Sequence, residues 1–179
     1  EASTLPAWCY TTEAFYQREL EHIFFKQWNF AGRLDEIPDA GDYMVLDFCG
    51  ESVIIIRGKD GVVRAFVNVC RHRSARLLDG RGHCRTIVCP YHSWVYGLDG
   101  TLTRMKGMEQ TANFDPDENG LMPLRLESWA GFLFVSFASE VIPLEEYLGD
   151  MTEQYASYRF ADALCVRRKS YDLKCNWKL

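Results

Sequence analysis

Residues 68–96, NVCRHRSARLLDGRGHCRTIVCPYHSWVY, contain two short pairs of metal-binding side chains. The first pair is Cys70 and His72, separated by one residue, and the second is Cys89 and His92, separated by two. Each pair combines one thiol with one imidazole, and these groups are ligands for both iron and zinc. The spacing therefore predicts one metal centre held by two loops of the chain.

Mixed pairs of this kind suit a cluster of two irons and two sulfides better than a single zinc ion. Two loops that face each other give one iron two thiolates and the other iron two imidazoles, which is the ligand set of a Rieske-type [2Fe-2S] cluster. Structural zinc sites with two cysteines and two histidines are the alternative. Those sites usually pair cysteine with cysteine and histidine with histidine, unlike this sequence.

The remaining cysteines and histidines do not share this spacing. His83 and Cys84 lie between the two loops, where Gly80 and Gly82 predict an exposed turn. Seven cysteines without a compact secreted pattern favour a reducing compartment over a disulfide framework. We interpret five of them as thiols outside the metal centre: Cys9, Cys49, Cys84, Cys165 and Cys175.

Composition excludes several classes of partner. A hydrophobic content of 47% over 179 residues is sufficient for a buried core. The chain has 20 basic and 25 acidic residues, a net charge of -5 and no basic run, which argues against nucleic acid as a partner. No apolar stretch approaches the roughly 20 residues needed to span a bilayer, and the N-terminus does not resemble a secretory signal. We therefore expect a cytoplasmic protein without a membrane anchor.

Hydrophobic spacing predicts a helix near the N-terminus, followed by short antiparallel strands. Apolar residues from Tyr16 to Trp28 recur at helical spacing and predict a helix over residues 12–29. A hairpin turn is expected at Asp99-Gly100, and after Pro143 the pattern predicts helices and then a polar strand over Leu164–Leu173. Four further runs rich in valine, isoleucine and phenylalanine predict strands: Val53–Ile56, Val62–Val67, Leu121–Glu127 and Phe132–Phe137.

These elements indicate a mainly β protein with flanking helices, in which a small antiparallel β-sandwich or partial barrel carries the two cluster-binding loops. We predict an N-terminal helical segment over 1–40 and a [2Fe-2S] domain over 41–138. Residues 139–179 would hold linker helices and the first strand of an α+β catalytic domain. Because that strand has no partner and the chain ends without a polar tail, we expect a truncated polypeptide.

The sequence resembles the large (alpha) subunits of Rieske non-haem iron oxygenases, which include ring-hydroxylating dioxygenases and choline-monooxygenase-like enzymes. The family usually has glycine at the position of Ser93. Respiratory Rieske proteins differ, since they have cysteines where this chain has Ala75 and Tyr91, and a serine where it has Trp94; the resemblance therefore implies a low-potential centre. It covers nearly the whole chain and rests on Gln27-Trp28, Asn68-x-Cys70-x-His72-Arg73, Cys89-Pro90-Tyr91-His92-Ser93-Trp94, Asp99-Gly100 and Asn176-Trp177-Lys178.

The resemblance implies an oxidoreductase that is a dioxygenase or monooxygenase at full length. Its electron donor would be a ferredoxin or an NAD(P)H-dependent flavin reductase, and its assembly a homotrimer, with or without a small beta subunit. Electrons would pass to a mononuclear non-haem Fe(II) held by two histidines and a carboxylate in the C-terminal domain. Only His22 and His83 remain besides the cluster ligands, so we expect that iron in the missing domain and no catalytic residue here.

Three functions remain open at this stage. The first is hydroxylation of an aromatic ring or aromatic acid, which we take as the leading hypothesis. The alternative is monooxygenation of a quaternary amine such as choline or a betaine, a branch that Tyr91–Leu102 (YHSWVYGLDGTL) resembles. The third is a free-standing Rieske ferredoxin, although such carriers usually have only about 100 to 120 residues. Trp94, two residues beyond His92, is expected to cover the cluster from water.

Overall fold

The computed structural model describes residues 3–108 and 111–179 and is built around antiparallel β-sheet. Within the described residues, seven strands form one sheet in the order β1-β10-β9-β4-β3-β2-β5, and three form a second in the order β6-β7-β8. The strands are β1 Asn29–Arg33, β2 Asp42–Phe48, β3 Glu51–Arg57, β4 Val63–Val67, β5 Arg81–His83, β6 Ile87–Val88, β7 Val95–Tyr96, β8 Leu102–Arg104, β9 Pro123–Trp129 and β10 Phe132–Ser136.

Strand β3 divides the hydrophobic interior into two clusters. Residues 53–56 of this strand are all fully buried, because alternate side chains enter opposite faces of the sheet. Ile54 and Ile56 pack in the cluster that also contains both cysteines of the predicted metal centre. Val53 and Ile55 pack against Leu133 and other residues of the opposite cluster. The two loops predicted to bind metal therefore lie over one face of a sheet that is buried on both sides.

The second sheet carries one predicted loop between β6 and β7. Strands β7 and β8 are joined by the expected turn at Asp99-Gly100. Gly100 has φ +87°, and a Cβ there would lie 2.5 Å from the ring of Phe66. Glycine is therefore required at this turn both by its backbone conformation and by the close packing of β4.

The mainly β architecture predicted from the sequence is confirmed. All four predicted strands overlap observed ones, with ends that differ by no more than two residues. The division of the chain at residues 40 and 138 stays a prediction. None of the described helices is long or apolar enough to cross a membrane.

The predicted helix over residues 12–29 is confirmed over residues 13–24, but it ends about five residues earlier than expected and is preceded by a separate short helix. Helix α1 (Trp8–Thr11) begins earlier and ends where Thr12 adopts an extended conformation, with φ -101° and ψ 134°. Helix α2 (Glu13–Glu19) follows, and a π-helical turn over Leu20–Phe24 ends the segment. The Thr12 hydroxyl donates to the Trp8 carbonyl at 2.9 Å instead of capping α2. The hydrophobic spacing located the segment, but it did not reveal the break.

The predicted strand over Leu164–Leu173 is wrong, whereas helices follow Pro143 as expected. Helices α3 (Leu144–Leu148) and α4 (Met151–Gln154) are succeeded by 3₁₀ turns at Ala156–Tyr158 and Phe160–Asp162. Residues 163–174 belong to no helix or strand. The alternating sequence is compatible with a strand, but among the described residues none offers this segment a ladder of backbone hydrogen bonds.

Carboxylates nevertheless hold this C-terminal segment against the N-terminal part of the chain. Asp35 accepts a hydrogen bond from the backbone N–H of Cys165 at 2.7 Å, and Glu36 pairs with Arg168 at 2.9 Å. Arg33 is buried, pairs with Asp35 at 2.7 Å and donates to the carbonyls of Phe160 and Ala163.

Glu19 makes the equivalent connection at the end of the chain. Its buried carboxylate accepts hydrogen bonds from Lys178 Nζ at 2.6 Å and from Trp177 Nε1 at 3.1 Å. Asn176 donates to the Tyr10 carbonyl at 3.2 Å. Burial by itself would raise the pKa of Glu19, but the hydrogen bonds from Lys178 and Trp177 outweigh it and hold the pKa below its ordinary value.

We expect Glu19→Gln to lower the free energy of unfolding by about 2 kcal/mol at pH 7, because it leaves the Lys178 ammonium without its counter-ion. Since the pKa of Glu19 is depressed in the folded state, its contribution is present above the unfolded pKa and is lost as the pH falls through the folded value. The difference between wild type and variant should therefore shrink below pH of about 4.

Urea unfolding at pH 7 and pH 3 measures both effects. Glu21→Gln, an exposed carboxylate of the same helical segment, is the control and should change stability by less than about 0.5 kcal/mol. Equal stability of the Glu19 and Glu21 variants at pH 7 would contradict the proposed role of the buried carboxylate.

Candidate iron–sulfur site

The structure brings together all four residues predicted to bind metal. Cys70 and Cys89 are 1% and 2% exposed and lie in the same buried cluster. The rings of His72 and His92 lie side by side, with centroids 4.7 Å apart. Sulfur is thus grouped with sulfur and imidazole with imidazole, although each pair of like ligands comes from two different loops.

The two loops share one backbone conformation despite their different spacing. In the first, Cys70 O accepts from Ser74 N at 3.0 Å and Cys70 N donates to Ala75 O at 2.8 Å. In the second, Cys89 O accepts from Ser93 N at 3.0 Å and Cys89 N donates to Trp94 O at 2.8 Å. Ser74 and Ser93 both have positive φ, at +53° and +57°. Serine at position 93 therefore keeps the left-handed turn for which glycine is better suited.

The donor atoms of this site fit an iron–sulfur cluster. His72 Nδ1 and His92 Nδ1 are buried and have no hydrogen-bond partner among the described residues. A buried polar atom without a partner is costly, so the lone pair of each nitrogen needs a hydrogen-bond donor or a metal ion, and no described residue supplies such a donor. Burial, followed by the nearby His92 and Arg73, lowers the pKa of His72 below its ordinary value and leaves a neutral ring able to bind metal.

Asn68 fixes the first loop, a role that its sequence position did not reveal. The side chain is fully buried, and its Oδ1 accepts from Leu77 N at 3.1 Å and Leu78 N at 3.0 Å. Its Nδ2 donates to Ser52 Oγ at 3.0 Å and to Leu78 O at 2.7 Å. Every hydrogen-bonding group of the amide is used, so the segment before Cys70 is tied to β3 and to the far end of the loop.

Tyr96 is a second residue whose importance sequence reasoning missed. The backbone N–H of Arg71 donates to its hydroxyl oxygen at 3.0 Å, and the same oxygen lies 3.3 Å from Cys70 Sγ. Because the Arg71 amide can only donate, the tyrosine proton is free to point at the sulfur. Burial and then the Cys70 contact raise the pKa of Tyr96 well above its ordinary value, so the hydroxyl keeps that proton. Respiratory Rieske proteins have a serine where this chain has Trp94. The Tyr96 hydroxyl thus offsets in part the absence of that serine as a hydrogen-bond donor.

Trp94 occupies the position expected of a cover over the site. It is 2% exposed, and its ring is parallel to that of His72, with centroids 4.8 Å apart and an interplanar angle of 6°. Phe114 meets it edge-on at 5.6 Å. Such packing excludes water from one side of the imidazole pair.

The residues between the loops lie outside the site, but they do not form the simple exposed turn that we expected. His83 belongs to β5, the edge strand, and its Nδ1 is 2.9 Å from Asp42 Oδ1. Cys84 is half-buried and packs at the margin of the hydrophobic cluster that contains Cys70 and Cys89. The backbone N–H of Cys84 donates to Gly41 O at 3.0 Å. Pairing with β2 explains why this segment is a strand. Short glycine-rich segments rarely show a sequence pattern that predicts such pairing.

A comparison with protein families identifies the domain that contains the two loops. The profile of the Rieske [2Fe-2S] domain matches residues 27–115, which include both loops. The chain carries a Rieske [2Fe-2S] domain. This Rieske domain extends from β1 beyond β8, so the whole three-stranded sheet β6-β7-β8 falls within it.

Proteins similar to this Rieske chain are oxygenase subunits. It is 41% identical over 181 residues to the carnitine monooxygenase oxygenase subunit of Escherichia coli K12, covering 99% of the chain and 48% of that protein. It is 35% identical over 184 residues to the chloroplastic choline monooxygenase of Beta vulgaris, covering 100% of the chain and 41% of the relative. The chain therefore spans about half the length of the curated relatives it matches.

Solved structures of Rieske oxygenases agree with this relationship. The quaternary ammonium Rieske monooxygenase CntA, in complex with an inhibitor, superposes with a TM-score of 0.93 at 34% identity, covering 98% of this chain and 49% of that one. A naphthalene 1,2-dioxygenase variant bound to phenanthrene superposes with a TM-score of 0.76 at 35% identity, covering 81% and 33%. The sequence resemblance to Rieske oxygenase large subunits is thus confirmed.

We expect Tyr96→Phe to lower the midpoint potential of the Rieske domain by about 40 mV, because a hydrogen bond worth about 1 kcal/mol more to the reduced cluster is lost. Redox titration followed by visible spectroscopy measures this shift. Tyr43→Phe is the control, since this phenol packs against the same core without bonding a cysteine. An unchanged potential in Tyr96→Phe would contradict a tuning role for the hydroxyl.

Proposed function

We propose that this chain is the electron-transfer portion of a Rieske non-haem iron oxygenase. In this proposal Cys70 and Cys89 bind one iron of a [2Fe-2S] cluster, and His72 and His92 bind the other through Nδ1. The observation that carries it is the separation of sulfur from imidazole: the two cysteines lie in one buried cluster, and the two histidine rings lie side by side, with Nδ1 atoms that have no partner among the described residues. When bound, the cluster supplies reversible one-electron storage.

The same separation argues against the zinc alternative. A structural zinc ion takes four ligands in one tetrahedron. Among residues 3–108 and 111–179, however, no three histidine, cysteine, aspartate or glutamate side chains are grouped so that they could hold a single ion. Two irons that each take two protein ligands remove this difficulty.

The chain purified from iron-supplied cells should contain two irons and two acid-labile sulfides and should give the electron paramagnetic resonance spectrum of a reduced Rieske centre. His92→Ala should lose that spectrum, because one iron loses half of its protein ligands. His83→Ala is the matched control and should retain it, since His83 pairs with Asp42 away from the site. Colourless protein with one zinc per chain and no sulfide would refute the proposal.

For the full-length protein, we propose monooxygenation of a quaternary ammonium compound. The curated relatives at 41% and 35% identity act on carnitine and choline by name, and CntA superposes better than naphthalene dioxygenase. These findings favour the alternative substrate class over the aromatic ring that was our leading hypothesis, and they do not support a role in aromatic hydrocarbon catabolism. A free-standing ferredoxin is disfavoured because the similarity extends over the whole chain.

The remaining parts of the full-length protein are also proposals. We place a mononuclear Fe(II) outside these 179 residues and propose a flavin reductase or ferredoxin as the electron donor. The homotrimer, with or without a beta subunit, stays a prediction from the resemblance, and the cytoplasmic location stays a prediction from the sequence.

Full-length protein supplied with oxygen and a chemical reductant should consume oxygen in the presence of carnitine, choline or glycine betaine and release an oxidised product detectable by mass spectrometry. Naphthalene and benzoate are the matched aromatic substrates and should give no product. Product from the aromatic compounds alone would overturn the quaternary ammonium proposal while leaving the Rieske assignment intact.

A further inference from the structure

Three buried side-chain nitrogens have no hydrogen-bond partner among the described residues: His72 Nδ1, His92 Nδ1 and Trp94 Nε1. The function proposed above accounts for the two imidazole nitrogens as iron ligands. It does not account for the indole nitrogen, because that atom carries a proton and can only donate a hydrogen bond. The Trp94 N–H therefore requires an acceptor of its own.

The unpartnered indole of Trp94 is an exception within this chain. Trp28 is also buried, and its Nε1 donates to the carbonyl of Ile142 at 2.9 Å. Trp177 Nε1 donates to the carboxylate of Glu19 at 3.1 Å. Buried tryptophan N–H groups usually have such partners, because a donor removed from water without an acceptor is destabilising. The exception at Trp94, which is 2% exposed, indicates that an acceptor belongs beside it.

Trp94 is held against both of the loops predicted to bind the cluster. Its backbone carbonyl accepts a hydrogen bond from Cys89 N at 2.8 Å, which ties it to the second loop. Its ring is parallel to that of His72 in the first loop, with centroids 4.8 Å apart. Cys70 and Cys89 lie in the same hydrophobic cluster as Trp94. The unpartnered N–H therefore belongs to the same buried region as the predicted ligands.

The described residues do not supply the missing acceptor. The hydrogen-bonding contact of Cys70 Sγ is with the Tyr96 hydroxyl at 3.3 Å, not with the indole. Phe114 meets Trp94 edge-on, and an aromatic ring is only a weak acceptor. A buried water needs at least two polar partners, but the only other unsatisfied buried side-chain atoms of the described residues are the two imidazole nitrogens that iron would occupy.

Two unsatisfied lone pairs and one unsatisfied donor together match a group that carries both positive and negative atoms. The irons of a [2Fe-2S] cluster bind the imidazole lone pairs, and its inorganic sulfides have lone pairs that accept hydrogen bonds. A zinc ion would bind the lone pairs but would leave the indole N–H without an acceptor.

We infer that Trp94 donates a hydrogen bond from Nε1 to an inorganic sulfide of the cluster. This inference rests on the Rieske function proposed above. The bond stabilises the reduced cluster more than the oxidised one, because the added electron increases the negative charge on the sulfides. Trp94 thus has two separate roles: its ring covers His72, and its N–H raises the affinity of the cluster for an electron.

Trp94→Phe keeps an aromatic ring and removes the N–H. At a solution potential where half of the wild-type cluster is reduced, the ratio of reduced to oxidised cluster should fall about fivefold in this variant. That change corresponds to about 40 mV, since a tenfold change is about 59 mV for one electron. Loss of the water-excluding cover alone would change the ratio in the opposite direction, because water stabilises added negative charge. Redox titration followed by electron paramagnetic resonance measures the ratio.

Trp28→Phe is the matched control. It makes the same change at a buried tryptophan whose N–H is bonded to Ile142 and whose ring packs in a different hydrophobic cluster. The ratio of reduced to oxidised cluster should be unchanged in this variant.

A second measurement does not require a variant. The wild-type chain is produced with tryptophan labelled with ¹⁵N in the indole ring, and the reduced cluster is studied by pulsed electron paramagnetic resonance. A hydrogen bond to sulfide transfers unpaired spin to the indole nitrogen, so we expect an isotropic ¹⁵N coupling. Proximity without a hydrogen bond gives only a dipolar coupling. The isotropic coupling should persist in Trp28→Phe and disappear in Trp94→Phe.

Either of two results would overturn the inference while leaving the Rieske function intact. The first is a ratio of reduced to oxidised cluster that stays the same or rises in Trp94→Phe. The second is a wild-type Rieske spectrum without an isotropic ¹⁵N coupling. A wild-type chain that gives no Rieske spectrum at all would overturn both proposals, because the indole would then have no sulfide to bind.

Discussion

The organisation of this protein depends on four side chains that bring two sulfur atoms and two buried imidazole nitrogens together. The two imidazole nitrogens have no hydrogen-bond partner among the described residues, and the two cysteines lie in one cluster of the hydrophobic interior. Placing unpaired polar groups in such an environment is unfavourable unless a metal centre compensates for the lost hydration. The surrounding elements can be understood as the means by which the chain holds these groups in place.

Two levels of structure provide that support. Locally, both loops use the same pair of backbone hydrogen bonds from their cysteine, so residues with different sequence spacing reach equivalent positions. More distantly, Asn68 ties the first loop to β3, whose alternating side chains fill the core beneath both loops. A buried amide with every group bonded has a single favourable orientation, and it transmits the rigidity of the sheet to the ligands.

The electronic properties of the site depend on residues that contact the ligands. Trp94 covers one face of the imidazole pair, and Tyr96 directs a hydroxyl at a cysteine sulfur. A polar donor and an apolar cover act in different ways, since the first stabilises added negative charge and the second excludes water that would do the same. These residues do not explain substrate choice. The chain corresponds to only about half of its relatives' length.

The sequence alone determined the cluster type, the mainly β class and the resemblance to Rieske oxygenases, and it predicted the four ligands. Those conclusions depend on residue identity over short spacings and on alternating hydrophobicity, both of which are local properties. It did not determine the break at Thr12, the absence of a strand over Leu164–Leu173 or the role of Tyr96. The last two depend on contacts between distant residues: Tyr96, in the second sheet, contacts Cys70, and the C-terminal segment is held by Glu19, Asp35 and Glu36 instead of by a strand partner. Tertiary structure decided them because a hydrogen bond between residues far apart in sequence leaves no periodic signal in the chain.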